Sequence, residues 1–123
     1  MNQSMPKYRP NVAAIIINRE GEILVCERSN NGRAWQFPQG GVDKGETNLE
    51  ALYREVWEEV GLEKKHYKVL EEKGGYKYLY PQKVREKKKF DGQKQTYFLC
   101  RLKKSAPEID LGENNPEFSD YDW

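Results

Sequence analysis

The chain has 123 residues, a length typical of a single domain. Its 21 basic and 20 acidic residues give a formal net charge of +1, which indicates no general bias toward nucleic acid, and DNA is not expected as a partner. No apolar run approaches the ~20 residues of a membrane-spanning helix, and the polar first ten residues do not resemble a signal peptide. Cys26 and Cys100 lack metal-ligand spacing, which favours buried free thiols. We therefore predict a cytoplasmic protein without membrane contact.

The first part of the chain predicts two strands. Residues 12–17 form a continuous apolar run, which is typical of a strand buried on both faces. A turn over residues 18–21 leads to a second strand over residues 23–27, and the two are expected to pair as a hairpin. Pro38 indicates a strand end or a sheet edge just before a glycine-rich loop.

Residues 48–60 are predicted to form a helix. Thr47 and Glu50 have the spacing of a capping box, in which each side chain satisfies a free backbone donor at the helix start. Gly61 provides the stop, because glycine readily adopts the left-handed conformation that follows a last turn. At about 100° per residue, one apolar arc is suited to packing against a sheet. Its members are Leu49, Leu52, Tyr53, Val56 and Val60.

Three glutamates, Glu55, Glu58 and Glu59, share a separate arc of this helix. Like charges one turn apart repel each other and lower stability. A divalent cation removes that cost, and Mg²⁺ is typically held by a few carboxylates together with phosphate oxygens and water. The alternative is a solvated acidic face, which is the commoner meaning of such a pattern. The glycine-rich loop directly before the helix favours a metal site that handles phosphates.

The rest of the chain predicts further strands around this helix. They cover residues 67–70, 76–80 and 95–102, and Gly74 with Gly75 breaks or bends the segment between the first two. Residues 117–123 have the pattern of the start of another strand. Strands around one helix indicate a mixed α/β layer fold, in a single domain over residues 1–123.

The stretch from the glycine-rich loop to the end of the helix resembles a complete Nudix box. Every defined position of that motif is matched in type and spacing. The matching positions are Gly40, Glu46, Arg54, Glu55, Val56, Glu58, Glu59, Gly61 and Leu62. The resemblance implies a Nudix-type α/β/α sandwich with a mixed sheet. It also implies a hydrolase of nucleoside diphosphates linked to another group, dependent on Mg²⁺ or Mn²⁺.

The resemblance also implies roles by position. Glu55, Glu58 and Glu59 match the family's metal ligands, and Glu58 and Arg54 are counted among the catalytic residues. Arg54 is expected to hold the loop or a glutamate in place, with Glu46 in support; an ordinary surface ion pair is the alternative. A Nudix domain normally continues past its last strand into a C-terminal helix. The chain is therefore expected to be truncated, with one sheet face exposed.

Four segments outside the box resemble one bacterial subgroup, the RNA 5′-pyrophosphohydrolases, also described as dinucleoside polyphosphate hydrolases. They are residues 8–12, 35–41, 90–95 and 116–118. The resemblance implies metal-dependent hydrolysis of the 5′-terminal polyphosphate of RNA, which leaves a 5′-monophosphate. A diadenosine tetraphosphate hydrolase is the alternative, and a non-catalytic Nudix-like binding domain is the third hypothesis. The intact acidic helix disfavours the third, because a binding module has no need of it.

Six residues are candidates for substrate binding. They are Arg9, Arg28, Gln39, Gly40, Gln93 and Lys94. The cations are suited to phosphates of a polyphosphate or of RNA, and Arg28 can also stack on a base. The glutamines are uncharged donors suited to phosphate oxygens. For each residue taken singly, a solvated surface position is equally consistent with the sequence. The basic segment over residues 83–89 is either a solvated loop or a phosphate-contacting loop.

Glu117 is the candidate general base. The helix glutamates are committed to the metal, so a base is expected outside the helix. The subgroup resemblance implies a functional glutamate in the Pro-Glu-Phe segment at residues 116–118. An exposed loop acid is the alternative for this residue. The expected reaction is attack of water on phosphorus in the polyphosphate chain.

Overall fold

The computed structural model describes residues 5–29, 34–112, 115 and 117–123 of the chain. The strands in these residues are β1 Tyr8–Ile17, β2 Val25–Arg28, β3 Trp35–Gln36, β4 Gln39–Gly41, β5 Tyr67–Leu79, β6 Gly92–Leu102 and β7 Phe118–Asp122. The helices are α1 Asn48–Val60 and the single-turn α2 Gln82–Arg85, and a 3₁₀ turn over Lys64–His66 lies between α1 and β5. Within the described residues, neither helix is long and apolar enough to cross a membrane.

The strands form two sheets. The larger sheet has the order β4-β1-β6-β5 and is mixed, because β1 and β6 are parallel while the outer pairs are antiparallel. The smaller sheet has the order β3-β2-β7 and is antiparallel. This arrangement confirms the predicted α/β class with a mixed sheet. It also confirms the predicted strand near the end of the chain.

The early hairpin forms only at its turn. Asn18 Oδ1 accepts hydrogen bonds from the backbone N–H groups of Glu20 and Glu22, and Gly21 has a φ of 80°. Past the bridge between Ile17 and Ile23, the two strands enter different sheets. The prediction of a paired hairpin was therefore wrong beyond the turn. β6 occupies one edge of β1 along its length and β4 occupies the other edge at Asn11–Ala13, while β2 pairs with β3 and β7.

The segment after α1 is one long strand rather than two. β5 runs without a break through Gly74 and Gly75 and pairs with β6 along its length, with register shifts between Val69 and Glu71 and between Lys73 and Tyr76. Gly75 has a φ of 90°, a conformation that glycine adopts easily. The glycines thus form a bulge that bends the strand without ending it.

The core lies between α1 and the larger sheet. Val12, Ala14, Ile16, Phe98 and Cys100 from the sheet pack with Ala51, Leu52, Val56 and Val60 of the helix. Leu49 was predicted to join this face but is 37% exposed in the first turn of α1. Cys26 and Cys100 are buried free thiols, as predicted, and burial raises the pKa of each to about 12.

The opposite face of the larger sheet is less covered. Because side chains alternate along a strand, Ile15, Tyr97 and Leu99 point away from α1. With Glu71, Lys73 and Tyr76 they line a shallow cavity of about 440 Å³, and Tyr76 is 49% exposed. Neither helix of the described residues packs over this part of the sheet.

Candidate active site

The site is built where β4 meets α1. The register between β1 and β4 sets Asn11 opposite Gly41 and Val12 opposite Gly40. α1 begins with the predicted capping box, in which Glu50 N–H donates to Thr47 Oγ1 at 3.1 Å and Thr47 N–H donates to Glu50 Oε1 at 2.9 Å. These caps fix the residue at which α1 begins, and α1 packs against β4. The acidic arc of the helix therefore lies against the glycine-rich strand.

Two glycines of β4 allow charged side chains to lie directly on the strand. A Cβ atom at Gly40 would overlap the carboxylate of Glu55, and a Cβ atom at Gly41 would overlap the guanidinium of Arg9. A side chain at either position would have to displace the end of Glu55 or of Arg9. An acid of α1 and a cation of β1 thus lie against consecutive residues of this strand.

Arg54 joins the loop before the helix to the helix itself. Its Nε and Nη2 donate to the two carboxylate oxygens of Glu46 at 2.7 and 2.8 Å, and Nη2 also donates to the carbonyl oxygen of Gly41 at 2.9 Å. Nη1 donates to Glu55 Oε1 at 2.7 Å. The hydrogen bonds that Arg54 donates lower the pKa of Glu46 to about 2, and the same bonds to the Glu46 carboxylate raise the pKa of Arg54. The arginine therefore fixes both the loop and one acid of the patch.

The three helix glutamates differ in burial. Glu59 is 4% exposed, the side chain of Glu55 is 13% exposed and that of Glu58 is 54% exposed. The backbone N–H of Gln39 donates to Glu59 Oε2 at 3.1 Å. Burial raises the pKa values of both Glu55 and Glu59, and the neighbouring charge of Glu55 raises the pKa of Glu59 further. A buried pair of like charges is a position that a cation stabilises.

The acids fit an open cation site rather than a closed cage. Within the described ranges, no three histidine, cysteine, aspartate or glutamate side chains are close enough to form a preformed metal cluster. However, the three helix glutamates line one cavity of about 190 Å³ together with Asn115 and Glu117. Carboxylate oxygens are hard donors, which suit a Mg²⁺ ion whose coordination is completed by water and phosphate oxygens.

A second cavity of about 560 Å³ adjoins the acids and has a polar lining. Eight residues that sequence reasoning selected line it: Arg9, Arg28, Gln39, Gly40, Gln93, Glu55, Glu59 and Glu117. Its volume lies in the usual range for a small-molecule site. The pairing of β2 with β7 explains why Arg28 and Glu117 meet, because Arg28 lies opposite Phe118 and the carbonyl oxygen of Glu117 accepts from Ser29 N–H at 2.9 Å.

The sequence profile of the NUDIX domain family matches residues 7–123. The chain belongs to the Nudix family. An RNA pyrophosphohydrolase of Helicobacter pylori is 49% identical over 121 residues, which cover 94% of this chain and 76% of the relative. An RNA pyrophosphohydrolase of a Nitratiruptor species is 45% identical over 120 residues, again covering 94% of this chain and 76% of the relative.

Solved structures agree with the family assignment. The C. elegans Ap4A hydrolase in a binary complex has a TM-score of 0.74 at 22% identity, covering 94% of this chain and 78% of that chain. The E. coli dihydroneopterin triphosphate pyrophosphohydrolase has a TM-score of 0.74 at 20% identity, covering 98% and 82%. At such identities the likeness shows the fold alone. It confirms the Nudix fold predicted from the sequence.

Lys94, one of the predicted substrate-binding residues, is not in the lining of the larger cavity. It lies on β6 between Gln93 and Gln95, and successive side chains of a strand point to opposite faces. Gln93 lines the larger cavity, whereas Lys94 is exposed on the other face and lies opposite Lys77. The structure therefore gives no support to the prediction that Lys94 binds substrate. From the basic segment at residues 83–89, Lys88 reaches the cavity lining.

Several residues of the site were missed in the sequence. Asn115 Nδ2 donates to the backbone oxygen of Glu59 at 2.8 Å, and its Oδ1 accepts from the N–H groups of Glu117 and Phe118 at 2.8 and 2.9 Å. It fastens the segment of Glu117 to the end of α1. Asn11 and Gln95 are buried amides beside the cavity. Each lies within two residues of a charged side chain, Arg9 or Lys94, so no local signal distinguished it from an exposed polar residue.

Proposed function

We propose that this Nudix protein hydrolyses the 5′-terminal polyphosphate of RNA and leaves a 5′-monophosphate end. The observation that carries the proposal is one cavity lined both by the acids Glu55, Glu59 and Glu117 and by the arginines Arg9 and Arg28. The relatives named RNA pyrophosphohydrolase support the choice of substrate, since two of them are 45–49% identical over 94% of this chain. A location in the cytoplasm belongs to the same proposal and is supported by the two buried free thiols.

Mg²⁺ or Mn²⁺ is the proposed cofactor, held by Glu55, Glu58 and Glu59. The buried like-charged pair Glu55 and Glu59 supports this assignment, as does the 190 Å³ cavity that all three line. When bound, such a cation neutralises phosphate charge and makes a water molecule easier to deprotonate. Arg54 holds Glu55 in position through a 2.7 Å hydrogen bond and so acts on the reaction indirectly.

The phosphate chain is proposed to lie in the larger cavity, beside β4 and the arginines. Gly40 and Gly41 lack side chains, which lets Glu55 and Arg9 lie directly on the strand at the border of this cavity. Arg9 and Arg28 supply positive charge, and Nε of Arg28 is buried without a hydrogen-bond partner in the described residues. A buried donor of that kind gains most from an anionic ligand. Gln39 and Gln93 are placed in the same lining to donate to phosphate oxygens.

Glu117 is the proposed general base. It lines both the smaller, acidic cavity and the larger cavity, so it borders the cation site and the phosphate site at once. Its backbone N–H donates to Asn115 Oδ1 at 2.8 Å, and, besides burial, its charge contributes to the raised pKa of Glu59, which indicates that the carboxylate lies near the helix acids. A base in this position takes a proton from the attacking water while the helix glutamates remain with the cation.

A direct comparison of two substrates tests the proposal. Triphosphorylated RNA and diadenosine tetraphosphate are incubated with the protein and Mg²⁺, and the products are separated by chromatography. Formation of 5′-monophosphorylated RNA at the higher kcat/KM is the expected result. Efficient cleavage of the dinucleotide with no action on RNA would promote the alternative hydrolase, and binding without any cleavage would favour a non-catalytic domain.

A further inference from the structure

Three amide side chains form a small network under the larger cavity. Asn11 Nδ2 donates to Gln95 Oε1 at 2.6 Å and to Gln39 Oε1 at 3.3 Å, and Gln95 Nε2 donates to Gln39 Oε1 at 3.2 Å. Asn11 is 4% exposed and Gln95 is 5% exposed. Buried amides of this kind are retained at a cost unless their donors and acceptors are paired. Here the mutual hydrogen bonds offset that cost, and they also fix the orientation of each amide.

The strand register brings the three residues together. Asn11 on β1 lies opposite Gln95 on β6 and, on its other side, opposite Gly41 on β4. Gln39 is two residues from Gly41 in the same strand, so its side chain points to the same face as Asn11 and reaches it diagonally. Three neighbouring strands are thus connected through their side chains on the face that carries the cavity.

The network decides which end of the Gln39 carboxamide faces the cavity. The Oε1 atom of Gln39 accepts two hydrogen bonds, one from Asn11 and one from Gln95. Its Nε2 makes no hydrogen bond within the described part of the chain, and Gln39 is in the cavity lining with Glu55 and Glu59. The reversed carboxamide would leave a carbonyl oxygen without a partner, and this oxygen would repel a bound anion. The observed orientation leaves two N–H donors available to an anion instead.

We infer that Asn11 and Gln95 are positioning residues that fix the Gln39 carboxamide so that its Nε2 donates to a phosphate oxygen of the substrate. The inference rests on the proposed function for the identity of the substrate. It adds two residues that do not touch the phosphate themselves. Their effect on the reaction passes through Gln39, which makes it separable from a general loss of packing.

A double-mutant cycle tests this dependence. Gln95→Met keeps the size of the side chain and removes its hydrogen bonds, and Gln39→Ala removes the proposed donor. Each substitution is expected to raise KM for triphosphorylated RNA about tenfold, the size of one lost hydrogen bond to a charged oxygen. The double variant is expected to have the KM of Gln39→Ala alone. Additive increases in KM, or a lower melting temperature with an unchanged KM, would show a merely structural role and overturn the inference.

A matched control and a second measurement exclude loss of folding as the cause. Asn18→Ala removes a turn amide that also makes three hydrogen bonds but lies outside the cavity lining, so its KM should equal that of the unchanged protein. In ¹⁵N-labelled protein with Mg²⁺, inorganic pyrophosphate should shift the side-chain amide signals of Gln39. The shift should be lost in Gln95→Met, and an identical shift in both proteins would overturn the inference.

Two further measurements distinguish an effect on the Gln39 side chain from an effect on metal binding or on the choice of substrate. Mn²⁺ affinity, measured without RNA by electron paramagnetic resonance, should be the same in Gln95→Met as in the unchanged protein. A parallel loss would place the effect on the Gln39 main chain and Glu59, and would contradict a role through the carboxamide. If the unchanged protein binds pyrophosphate through Gln39 but leaves RNA intact, the proposed substrate fails while the inference on the network stands.

Discussion

Arg54 is hydrogen-bonded to Glu46 and Glu55, whereas Arg9 and Arg28 lie in the lining of the larger cavity. The guanidinium of Arg54 is used by the protein itself, since it donates to both oxygens of Glu46, to Glu55 and to the backbone of Gly41. Among the residues that the structure describes, Arg9 and Arg28 form no ion pair. The same residue type therefore organises the site in one place and keeps its charge available to a ligand in the other.

This difference determines which measurement reports on each residue. Removal of a group that organises the acids should lower stability and kcat together, because acids are left without a partner. Removal of a group that contacts only the ligand should weaken substrate binding and leave the stability of the free protein unchanged. The acids themselves form a third class, since they are the proposed cation ligands and burial raises the pKa values of Glu55 and Glu59.

The largest effect is expected from Glu59→Gln, which removes the negative charge of one proposed metal ligand on α1. Turnover should fall at least about 100-fold, because loss of a group that only supports a ligand already costs 10–100-fold. The melting temperature should not fall, since burial and Glu55 raise the pKa of Glu59 and a neutral side chain avoids that cost. Steady-state rates at limiting Mg²⁺ and thermal melts check this. Glu20→Gln in the exposed β1–β2 turn is the control, and an unchanged rate in Glu59→Gln would exclude α1 as the cation site.

Glu117→Gln should give the next largest effect. If Glu117 takes a proton from water, kcat should fall about 100-fold, the lower end of general base catalysis. Mn²⁺ affinity should stay the same, because the residue is assigned to the water and not to the cation. Titration with Mn²⁺ beside the kinetic assay separates the two roles. A loss of metal affinity equal to that of Glu59→Gln would move Glu117 into the ligand set.

Arg28→Ala and Arg54→Ala test the comparison of arginines directly. Arg28→Ala should raise KM about tenfold or more, as expected for a lost charge-assisted hydrogen bond, with little change in melting temperature. Arg54→Ala should lower both kcat and the melting temperature, because Glu55 and Glu46 lose their partner. Kinetics and thermal melts of the two variants form a matched pair. Equal patterns in both would remove the distinction drawn between the two environments.

The Arg28 variant also distinguishes the two candidate substrates. A residue that stacks on a base near the RNA end should matter more for RNA than for diadenosine tetraphosphate. Turnover of RNA should also fall more steeply with salt than turnover of the dinucleotide, because RNA makes more phosphate contacts. Equal losses on both substrates would assign Arg28 to the phosphate chain that both share.

The helix and its acids were predictable because their signals are local. The capping box of Thr47 and Glu50, the stop at Gly61 and the glutamate spacing all lie within one short stretch, and the structure has the helix at the predicted bounds. The large difference in burial between Glu58 and Glu59 was not predictable. It depends on β4 lying against α1, where Gln39 N–H meets Glu59.

The remainder of the site depends on which strands become neighbours. The sequence could not indicate that β2 leaves β1 and pairs with β7, a step that brings Arg28 beside the Glu117 segment. Nor could it indicate the parallel pairing of β1 with β6, which places Asn11 opposite Gln95. The position of Lys94 was also unpredictable. A shift of one residue along β6 changes the face on which a side chain lies, and the sequence did not indicate which face of β6 borders the cavity.

The smallest effect is expected from the pH dependence of the pair between Glu46 and Arg54. The hydrogen bond from Arg54 lowers the pKa of Glu46 from 4.5 to about 2 in the folded protein. The pair therefore stabilises the fold above the unfolded-state pKa, and this stabilisation is lost as the pH falls from about 4.5 toward 2. Glu46→Gln should melt at a lower temperature than the unchanged protein at neutral pH, and the difference should shrink within that window. Thermal melts of both proteins across the pH range measure it, with Glu20→Gln as the control for loss of an exposed carboxylate. A difference that stays constant down to pH 2 would mean that Arg54 supports the loop through Gly41 and Glu55 alone.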